Sequence, residues 1–386
     1  MKRIAALLTA AAMICSPLGA SALEVGQAEG YARGIIAYEK QKNGIKPNDS
    51  LLSGRIAENA GSESSDWLMM GAVRFGLEED TSEYYGAWTE NMSGRDIGGA
   101  KATEGCRAVL TALCIGADPS DISDIDLLAE CIYYRGENNS IGKQGLNGWI
   151  WALIALDSFD WKAPEDAGLT RVDIVNTILA AQNEDGGFSI EPSVGESDPD
   201  LTAMAVQALS PYRNCDEVKE VAARAVDYLA DVQEDFGSCE TAAQTVCALC
   251  CMGIDPDEDE RFDRLTDTLI SYANDDGGFA HEKGGDSSEL ASAQALIALC
   301  SLSRLRNGER AVYDMNEGAP QQSEVGTLAE VAGAKERNTS APRGGGVSPS
   351  EEKSGMKIYI TVTAAIVLCA MAAGGILLKR RKERTR

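Results

Sequence analysis

The feature that most constrains this chain is a short motif, Asp-Gly-Gly-Phe, that recurs after helical segments. It stands in the stretch AQNEDGGFS at 181–189 and returns in YANDDGGFA at 272–280, with a fainter copy, VQEDFGS, at 232–238. A single pair of glycines marks only a loop, because glycine adopts backbone conformations that other residues avoid. Recurrence indicates repeated supersecondary units, each of which needs its neighbours to bury its apolar face.

Apolar residues between the motif copies follow the period of an α-helix. The segment RVDIVNTILAAQ places Val172, Val175 and Ile178 on one stripe, as in an outer helix with one solvated face. Segments such as ETAAQTVCALCCMG and ASAQALIALCSL are apolar nearly all round, which indicates inner helices. No alternating apolar run bounded by turns favours a β-sandwich. The sequence therefore predicts an all-α fold over residues 23–308, an α6/α6 toroid of six helical hairpins in an inner and an outer ring.

The two ends of the chain have the pattern of a displayed membrane protein. Residues 1–22 combine two basic residues, an apolar stretch and the small-residue site Ala20-Ser21-Ala22, which is typical of a secretory signal peptide. Residues 356–378 contain an uncharged run long enough for one transmembrane helix, and the basic tail at 379–386 is expected to be cytoplasmic. We expect a single-pass type I protein of the cell membrane, with the toroid extracellular.

Between the helical repeats and the membrane segment, residues 309–355 are rich in Gly, Pro, Ser and charges. They show no sustained apolar period, so we expect a disordered stalk there. Such a stalk would hold the toroid away from the bilayer surface.

Composition excludes several classes of function. The formal net charge of −25 repels nucleic acid, so no nucleic-acid partner is expected. The cysteines in Ala/Leu-rich segments are predicted to be reduced core residues, because no disulfide framework is indicated. The only histidine, His281, follows the second motif and is predicted to be a solvated loop residue. No spacing of Cys and His suggests a metal site, and no cofactor is predicted.

The motifs resemble the repeats of the prenyltransferase and squalene-cyclase (terpene cyclase) family, whose signature is a helix ending in Gln, then two residues, then Asp-Gly-Gly-Phe/Trp. The first copy matches it fully and the second lacks the Gln. The matching residues are Gln182, Asp185, Gly186, Gly187, Phe188, Asp276, Gly277, Gly278 and Phe279. The resemblance implies an α/α toroid in which these residues maintain the repeat architecture and take no part in chemistry.

The resemblance also implies activities to test against the residues. Squalene-hopene-type cyclases carry Asp-x-Asp-Asp-Thr-Ala, and DPDLTA aligns Asp198 and Asp200 with two of its acids, while Leu201 replaces the third. Protein prenyltransferases hold zinc with Asp, Cys and His, but here His281 precedes Asp286 and no Cys follows closely. The chain also looks similar to bacterial surface proteins that resemble the toroid domain of cobalamin carriers. Cobalamin is implied only with a separate covering domain, because no β domain follows Gly308.

Acids and amides recur near the starts of the inner segments. The simple interpretation is helix capping, because such side chains accept hydrogen bonds from the free amides of a first turn. The functional hypothesis is that they line one mouth of the toroid and bind a polar or cationic ligand, peptide or glycan. The candidate ligand-binding residues are Asp198, Asp200, Glu240, Thr241, Gln244, Glu289 and Gln294.

The sequence thus favours a membrane-anchored extracellular toroid that binds an unknown surface ligand or protein without catalysis. One alternative is a terpene cyclase or prenyltransferase-like enzyme that acts on an isoprenoid through Asp198 and Asp200. A second alternative is a structural or adhesion module, which is favoured if side chains plug the centre of the toroid.

Overall fold

The structure, a computed structural model, describes residues 23–78, 80–136, 139–159, 161–192, 194–317 and 326–335. Its centre is a closed ring of six inner helices, in which each helix contacts the next and the last packs against the first. They are α3 (Glu63–Arg74), α5 (Ala102–Cys114), α6 (Leu146–Asp157), α8 (Pro199–Leu209), α10 (Cys239–Met252) and α12 (Glu289–Arg306).

An outer layer surrounds this ring. It consists of α1 (Val25–Lys42), α4 (Ser82–Met92), a π-helical turn (Ala129–Tyr133), α7 (Arg171–Ala180), α9 (Asp216–Val232) and α11 (Leu265–Ile270), with the short α2 (Gly54–Glu58) packed on α4. Helices α7, α9 and α11 each pack against the inner helix that precedes them. Helix α1 has no inner helix before it and packs against α12, which closes the outer layer. This arrangement is the helical α/α toroid that the sequence predicted.

The inner helices run in the same direction, so their ends form two distinct mouths. Near the amino ends, Cys239 in α10 contacts Ala291 in α12 through a hydrogen bond from Sγ to the carbonyl at 3.8 Å. At the carboxyl ends, Arg304 Nη1 donates to Arg74 O at 3.0 Å. We call the first turns of the inner helices the amino mouth and their last turns the carboxyl mouth.

The first glycine of each full motif allows the backbone to approach an outer helix closely. Gly186 has φ +93°, and a Cβ there would lie 2.6 Å from Arg224 O in α9. Gly277 has φ +90°, and its Cβ would lie 2.6 Å from Gly34 O in α1. Since any other residue would be strained and would clash with backbone, glycine is required at both positions. The motif therefore joins one outer helix to the next, and the second copy joins the end of the repeat to its beginning.

The other motif residues hold the loops in the same conformation. In each copy the aspartate accepts a hydrogen bond from the amide of the second glycine at 3.0 Å, and the phenylalanine is fully buried. These residues are Asp185, Gly187 and Phe188 in the first copy and Asp276, Gly278 and Phe279 in the second. Gln182 Nε2 donates to Val221 O in α9 at 2.7 Å. The faint third copy keeps an equivalent contact, because Gln233 Nε2 donates to Arg261 O.

The outer layer is least regular at the π-helical turn, where the prediction of six hairpins requires a full outer helix. Ser123 and Asp124 have φ of 50° and 72°, so the chain makes a tight turn and helical structure begins late. The turn then packs closely on α5, since a Cβ on Gly105 would lie 2.4 Å from Cys131 Sγ. Helical periodicity did not reveal this turn because the left-handed residues are polar and interrupt no apolar stripe.

The packed structure extends beyond residue 308, where the sequence analysis placed the start of a disordered stalk. Val312 and Tyr313 are buried, and Arg74 Nε donates to Val312 O at 2.9 Å. Further along, α13 (Leu328–Lys335) packs against α7 and buries Leu328. Both segments are too short to show a helical period in the sequence. The first of them is bound by hydrogen bonds from arginines of the inner helices. The stalk prediction therefore does not apply to 309–317 or to α13.

Several predicted segments lie outside the described residues. They are the signal peptide at 1–22, the parts of the predicted stalk at 318–325 and 336–355, the transmembrane helix at 356–378 and the tail at 379–386. Within the part of the chain that the structure does describe, no helix has the length and apolar character needed to cross a membrane.

Candidate functional site

The acids predicted for the ligand site stand at the starts of α8, α10 and α12. Asp198 is the N-cap of α8, and its Oδ1 accepts a hydrogen bond from Leu201 N at 2.8 Å. Asp200, Glu240 and Glu289 occupy the first turns of α8, α10 and α12. The capping interpretation therefore accounts fully for the Asp198 carboxylate, while the other three acids point to contacts beyond their own helices.

Asp200 is the most unusual of these acids. Burial raises the pKa of its carboxyl, and the nearby charges of Asp198 and Glu240 add to this, while a hydrogen bond with the Thr241 side chain opposes it. Asp200 Oδ1 is buried and has no hydrogen-bond partner among the described residues. A buried oxygen of this kind is costly unless some donor reaches it, so Asp200 is suited to a ligand that carries an N–H or O–H group.

Glu240 contacts the single histidine of the chain. His281 Nδ1 lies 2.8 Å from Glu240 Oε2, and this hydrogen bond, with the glutamate charge, raises the pKa of the imidazole. The backbone fixes this position, because Cys239 N donates to His281 O at 3.0 Å. His281 is exposed as predicted, but no pattern in the sequence indicates that its loop returns to the mouth. That return depends on the short hairpin of β1 (Phe279–Ala280) and β2 (Ser287–Ser288).

Beneath the acids, a row of glutamines crosses three inner helices. Gln207 Nε2 donates to Gln244 Oε1 at 2.8 Å, and Gln244 Nε2 donates to Gln294 Oε1 at 2.7 Å. None of the three is more than 9% exposed, and Thr241 is 8% exposed. They form a buried floor to the amino mouth. Sequence reasoning missed Gln207 because it stands at a different register of the helix from Gln244 and Gln294.

Glu289 lies in a different group of side chains, at the contact between α12 and α1. Its carboxylate is 3.3 Å from Lys42 Nζ. Glu39, one turn earlier in α1, is 1% exposed, and burial together with the charge of Glu289 raises its pKa to about 7. The predicted site is therefore divided. The structure brings Asp200, Glu240 and Thr241 together with His281, and it places Glu289 beside α1.

Aromatic side chains occupy the interior between the two mouths. The rings of Trp67 and Trp151 have centroids 5.1 Å apart, and Tyr313 packs against them at 6.2 Å and 5.9 Å. All three are buried. The amino mouth therefore has a buried floor of glutamines beneath its acids, with aromatic side chains filling the interior.

Other chemistry was assessed from the side chains present. No three His, Cys, Asp or Glu side chains in the described ranges are grouped so that they could hold one metal ion. Eight of the nine cysteines between residues 23 and 335 are buried. Burial raises the pKa of the thiols, for example to about 12 at Cys247. The prediction that they act as small core residues agrees with this placement.

Comparison with known proteins identifies a family for this chain. The family model of the prenyltransferase alpha-alpha toroid domain matches residues 128–324, more than half of the chain. Among solved structures, Candida albicans protein geranylgeranyltransferase-I complexed with GGPP is similar, with 14% sequence identity and a TM-score of 0.45. That alignment covers 74% of this chain and 95% of the other. No curated protein matches the sequence.

Proposed function

This chain belongs to the prenyltransferase alpha-alpha toroid family, and we propose that it is a non-catalytic binding toroid that recognises a polar or cationic group at its amino mouth. The ligand is a surface molecule or a protein segment. The recognition residues are Asp200 and Glu240, with His281 beside them and Thr241 beneath.

The unpartnered Asp200 Oδ1 carries this proposal. A ligand that donates a hydrogen bond there would satisfy a buried oxygen, and hydrogen bonds to a carboxylate are stronger than neutral ones. Glu240 provides a second acid. Its side chain is 17% exposed, so a ligand can reach it from solvent. The glutamine floor supplies rigidity, because each amide is held by its neighbour.

Two observations favour binding over catalysis. The Asp198 carboxylate caps α8, which leaves it poorly placed for proton transfer to a substrate. Tyr313 packs among the aromatic rings inside the toroid, so side chains of the chain itself occupy space that a substrate in the interior would need. We propose no cofactor, and cobalamin would require a separate covering domain.

The setting of this function is also a proposal. The signal-peptide pattern at 1–22 and the apolar run at 356–378 support a single-pass protein of the cell membrane with its toroid outside. The amino mouth would then meet ligands of the surface or the medium.

Two other functions retain support from particular observations. An enzyme acting on an isoprenoid is favoured by the raised pKa of Asp200, a property of proton donors, and by the Trp67 and Trp151 pair, whose faces could stabilise a carbocation. A structural or adhesion module is favoured by the occupied interior, since the outer helices would then carry the function.

Thermal unfolding of the full chain with defined probes separates these functions. One set of probes is polar and cationic: spermidine, glucosamine and trilysine. The other probe is geranylgeranyl diphosphate, which carries an isoprenoid chain. Each is tested on the wild type, on Asp200→Asn/Glu240→Gln, and on Glu104→Gln. Glu104 is the matched control, because it also lies in the first turn of an inner helix but is paired with Arg95 at 3.0 Å.

We expect at least one cationic probe to raise the melting temperature of the wild type and of Glu104→Gln, but not that of the double variant. A rise with the isoprenoid probe alone would favour the enzyme. If no probe discriminates the variants, the adhesion module becomes the better account.

A further inference from the structure

The carboxyl mouth of the toroid is filled by the chain itself. Residues 311–317, AVYDMNE, follow α12 and turn back into this mouth; we call them the plug. Tyr313 is 7% exposed and packs edge-on against Trp67 and Trp151, and its neighbour Val312 is 1% exposed. Aromatic side chains that fill well-packed pockets dominate the energetics of cores and of binding interfaces.

One arginine of the toroid donates hydrogen bonds to the main chain of the plug. Arg74, at the end of α3, donates to the carbonyls of Ala311 at 3.2 Å, Val312 at 2.9 Å and Asp314 at 2.8 Å. Main-chain contacts of this kind accept many sequences, because every residue carries a carbonyl. A further main-chain bond joins Met315 N to Ser158 O at 2.8 Å, beyond the end of α6.

A pair of arginines binds the acid at the end of the plug. Glu317 Oε1 lies 2.6 Å from Arg74 Nη1 and 2.7 Å from Arg304 Nη2. Both arginine side chains are less than 10% exposed, whereas that of Glu317 is 53% exposed. The toroid thus carries a buried cationic clamp, and the plug contributes an accessible carboxylate to it.

The plug leaves part of the mouth open. A cavity of about 460 Å³ lies between it and the helix ends, lined by Cys114, Arg304, Met315 and Glu317 among others. Cavities of this size are common in sites that take small ligands or side chains.

We propose that the carboxyl mouth is a peptide-binding site, occupied in this structure by the plug as an intramolecular ligand. Its partner is a segment of another protein with the same chemistry: a tyrosine, then acids within a tight turn. The tyrosine takes the pocket of Trp67 and Trp151, and an acid takes the clamp of Arg74 and Arg304. This site is separate from the amino mouth and does not depend on the function proposed there.

The plug competes with such a partner through proximity. A tethered segment acts at an effective concentration of about millimolar, so a free peptide of micromolar affinity binds poorly while the plug is in place. Weakening the plug should therefore expose the site to a peptide of the same sequence.

The probe is a fluorescein-labelled peptide, ERAVYDMNE, which copies residues 309–317, and its anisotropy is measured with the purified full chain. Tyr313→Ala removes the anchor of the plug, and Tyr313→Phe is the control that keeps its ring. We expect the peptide to bind Tyr313→Ala at least tenfold more tightly than the wild type or Tyr313→Phe. The same peptide carrying Tyr313→Ala should not bind.

Absence of binding to a folded Tyr313→Ala chain, checked by circular dichroism, would overturn the proposal, and so would equal binding to all three proteins. If Tyr313→Ala does not fold, hydrogen exchange of the wild type decides. Amides of the plug should then exchange at least tenfold faster than those of α12. Equal rates would mean that the plug opens only on global unfolding, which contradicts an exchangeable ligand.

Discussion

Gln244 donates a hydrogen bond to Gln294 through its side-chain nitrogen, at 2.7 Å, and so joins α10 to α12 inside the toroid. The carbonyl oxygen of the Gln244 side chain accepts from Gln207 Nε2 at 2.8 Å, which adds α8 to the same row. The side-chain amide of Gln244 thus accepts one hydrogen bond and donates another, each shared with a buried amide. These hydrogen bonds join three inner helices beneath the acids and so hold the floor of the amino mouth together.

Substitutions in the row of buried glutamines should have non-additive effects on the free energy of unfolding. Gln244→Met keeps the volume but removes the side-chain hydrogen bonds to Gln207 and Gln294, so we expect the free energy of unfolding to fall by about 1–3 kcal/mol. Gln244→Met/Gln294→Met should lose less than the sum of the single variants, because the second change removes a group that was already unsatisfied. Urea unfolding measures all three. Strictly additive losses would mean that the amides act independently.

The glycines of the repeat allow a matched comparison. Gly277→Ala introduces a Cβ at 2.6 Å from Gly34 O and has φ +90°, whereas Gly253 has φ +80° and open space around it. Gly253→Ala should cost about 1–2 kcal/mol from backbone strain alone. Gly277→Ala should cost at least about 1 kcal/mol more, because the clash adds to the strain. Equal losses in denaturant unfolding would show that the contact between this loop and α1 is unimportant.

His281 reports on the acidic mouth without ambiguity, since it is the only histidine of the chain. Its pKa is raised, first by the hydrogen bond with Glu240 and then by that residue's charge. Glu240→Gln should therefore lower the His281 pKa towards 6.5, the ordinary value. The folded-state pKa of the wild type is higher than that of the unfolded chain, so the interaction stabilises below pH 6.5 and is lost as the pH rises through the folded value.

A titration of the histidine ring by NMR measures this shift directly. Glu104→Gln is the control and should leave the His281 pKa unchanged. An unchanged pKa in Glu240→Gln would mean that the contact between the two side chains does not persist in solution.

Glu39 should make the stability of the toroid depend on pH. Its pKa rises from 4.5 to about 7, chiefly through burial, so the folded chain holds this proton more tightly than the unfolded chain. The contribution of Glu39 to the free energy of unfolding is therefore largest below pH 4.5, and it declines as the pH rises to about 7. The full decline is about 3 kcal/mol.

Glu39→Gln removes this titration, so the variant should be more stable than the wild type at pH 8 and show a flatter pH profile. The control is Glu29→Gln, on the same helix, where the side chain is 44% exposed and paired with Arg33. Thermal unfolding between pH 4 and pH 8 provides the comparison. A parallel profile for Glu39→Gln and the wild type would show that Glu39 is already ionised.

The inner ring could be predicted because its signals are local. The apolar segments around Ala208, Ala248 and Ala298 are long and nearly uniform, and the motif at Asp185 to Phe188 has the same physical requirements wherever it occurs. A loop that needs positive φ and a close backbone approach can be built only from glycine, so sequence and geometry coincide there. The π-helical turn and the buried plug have no such local signal.

The candidate site was less predictable for the same reason. Asp200, Glu240 and Gln244 could be selected by register along their helices, and the structure brings them to one mouth. Glu289 stands next to that register, which Leu290 occupies, and it faces Lys42 because the outer helix beside α12 is α1; only the closure of the ring determines this neighbour. His281 reaches Glu240 through a loop whose path is set by tertiary contacts.

Native mass spectrometry of the full chain, purified from its own cell envelope, tests the central claim most directly. The wild type, Asp200→Asn/Glu240→Gln and Glu104→Gln are compared at equal concentration. We predict a bound mass on the wild type and on Glu104→Gln that is missing from the double variant. A bare wild type, or the same bound mass on all three proteins, would contradict a binding function for the amino mouth.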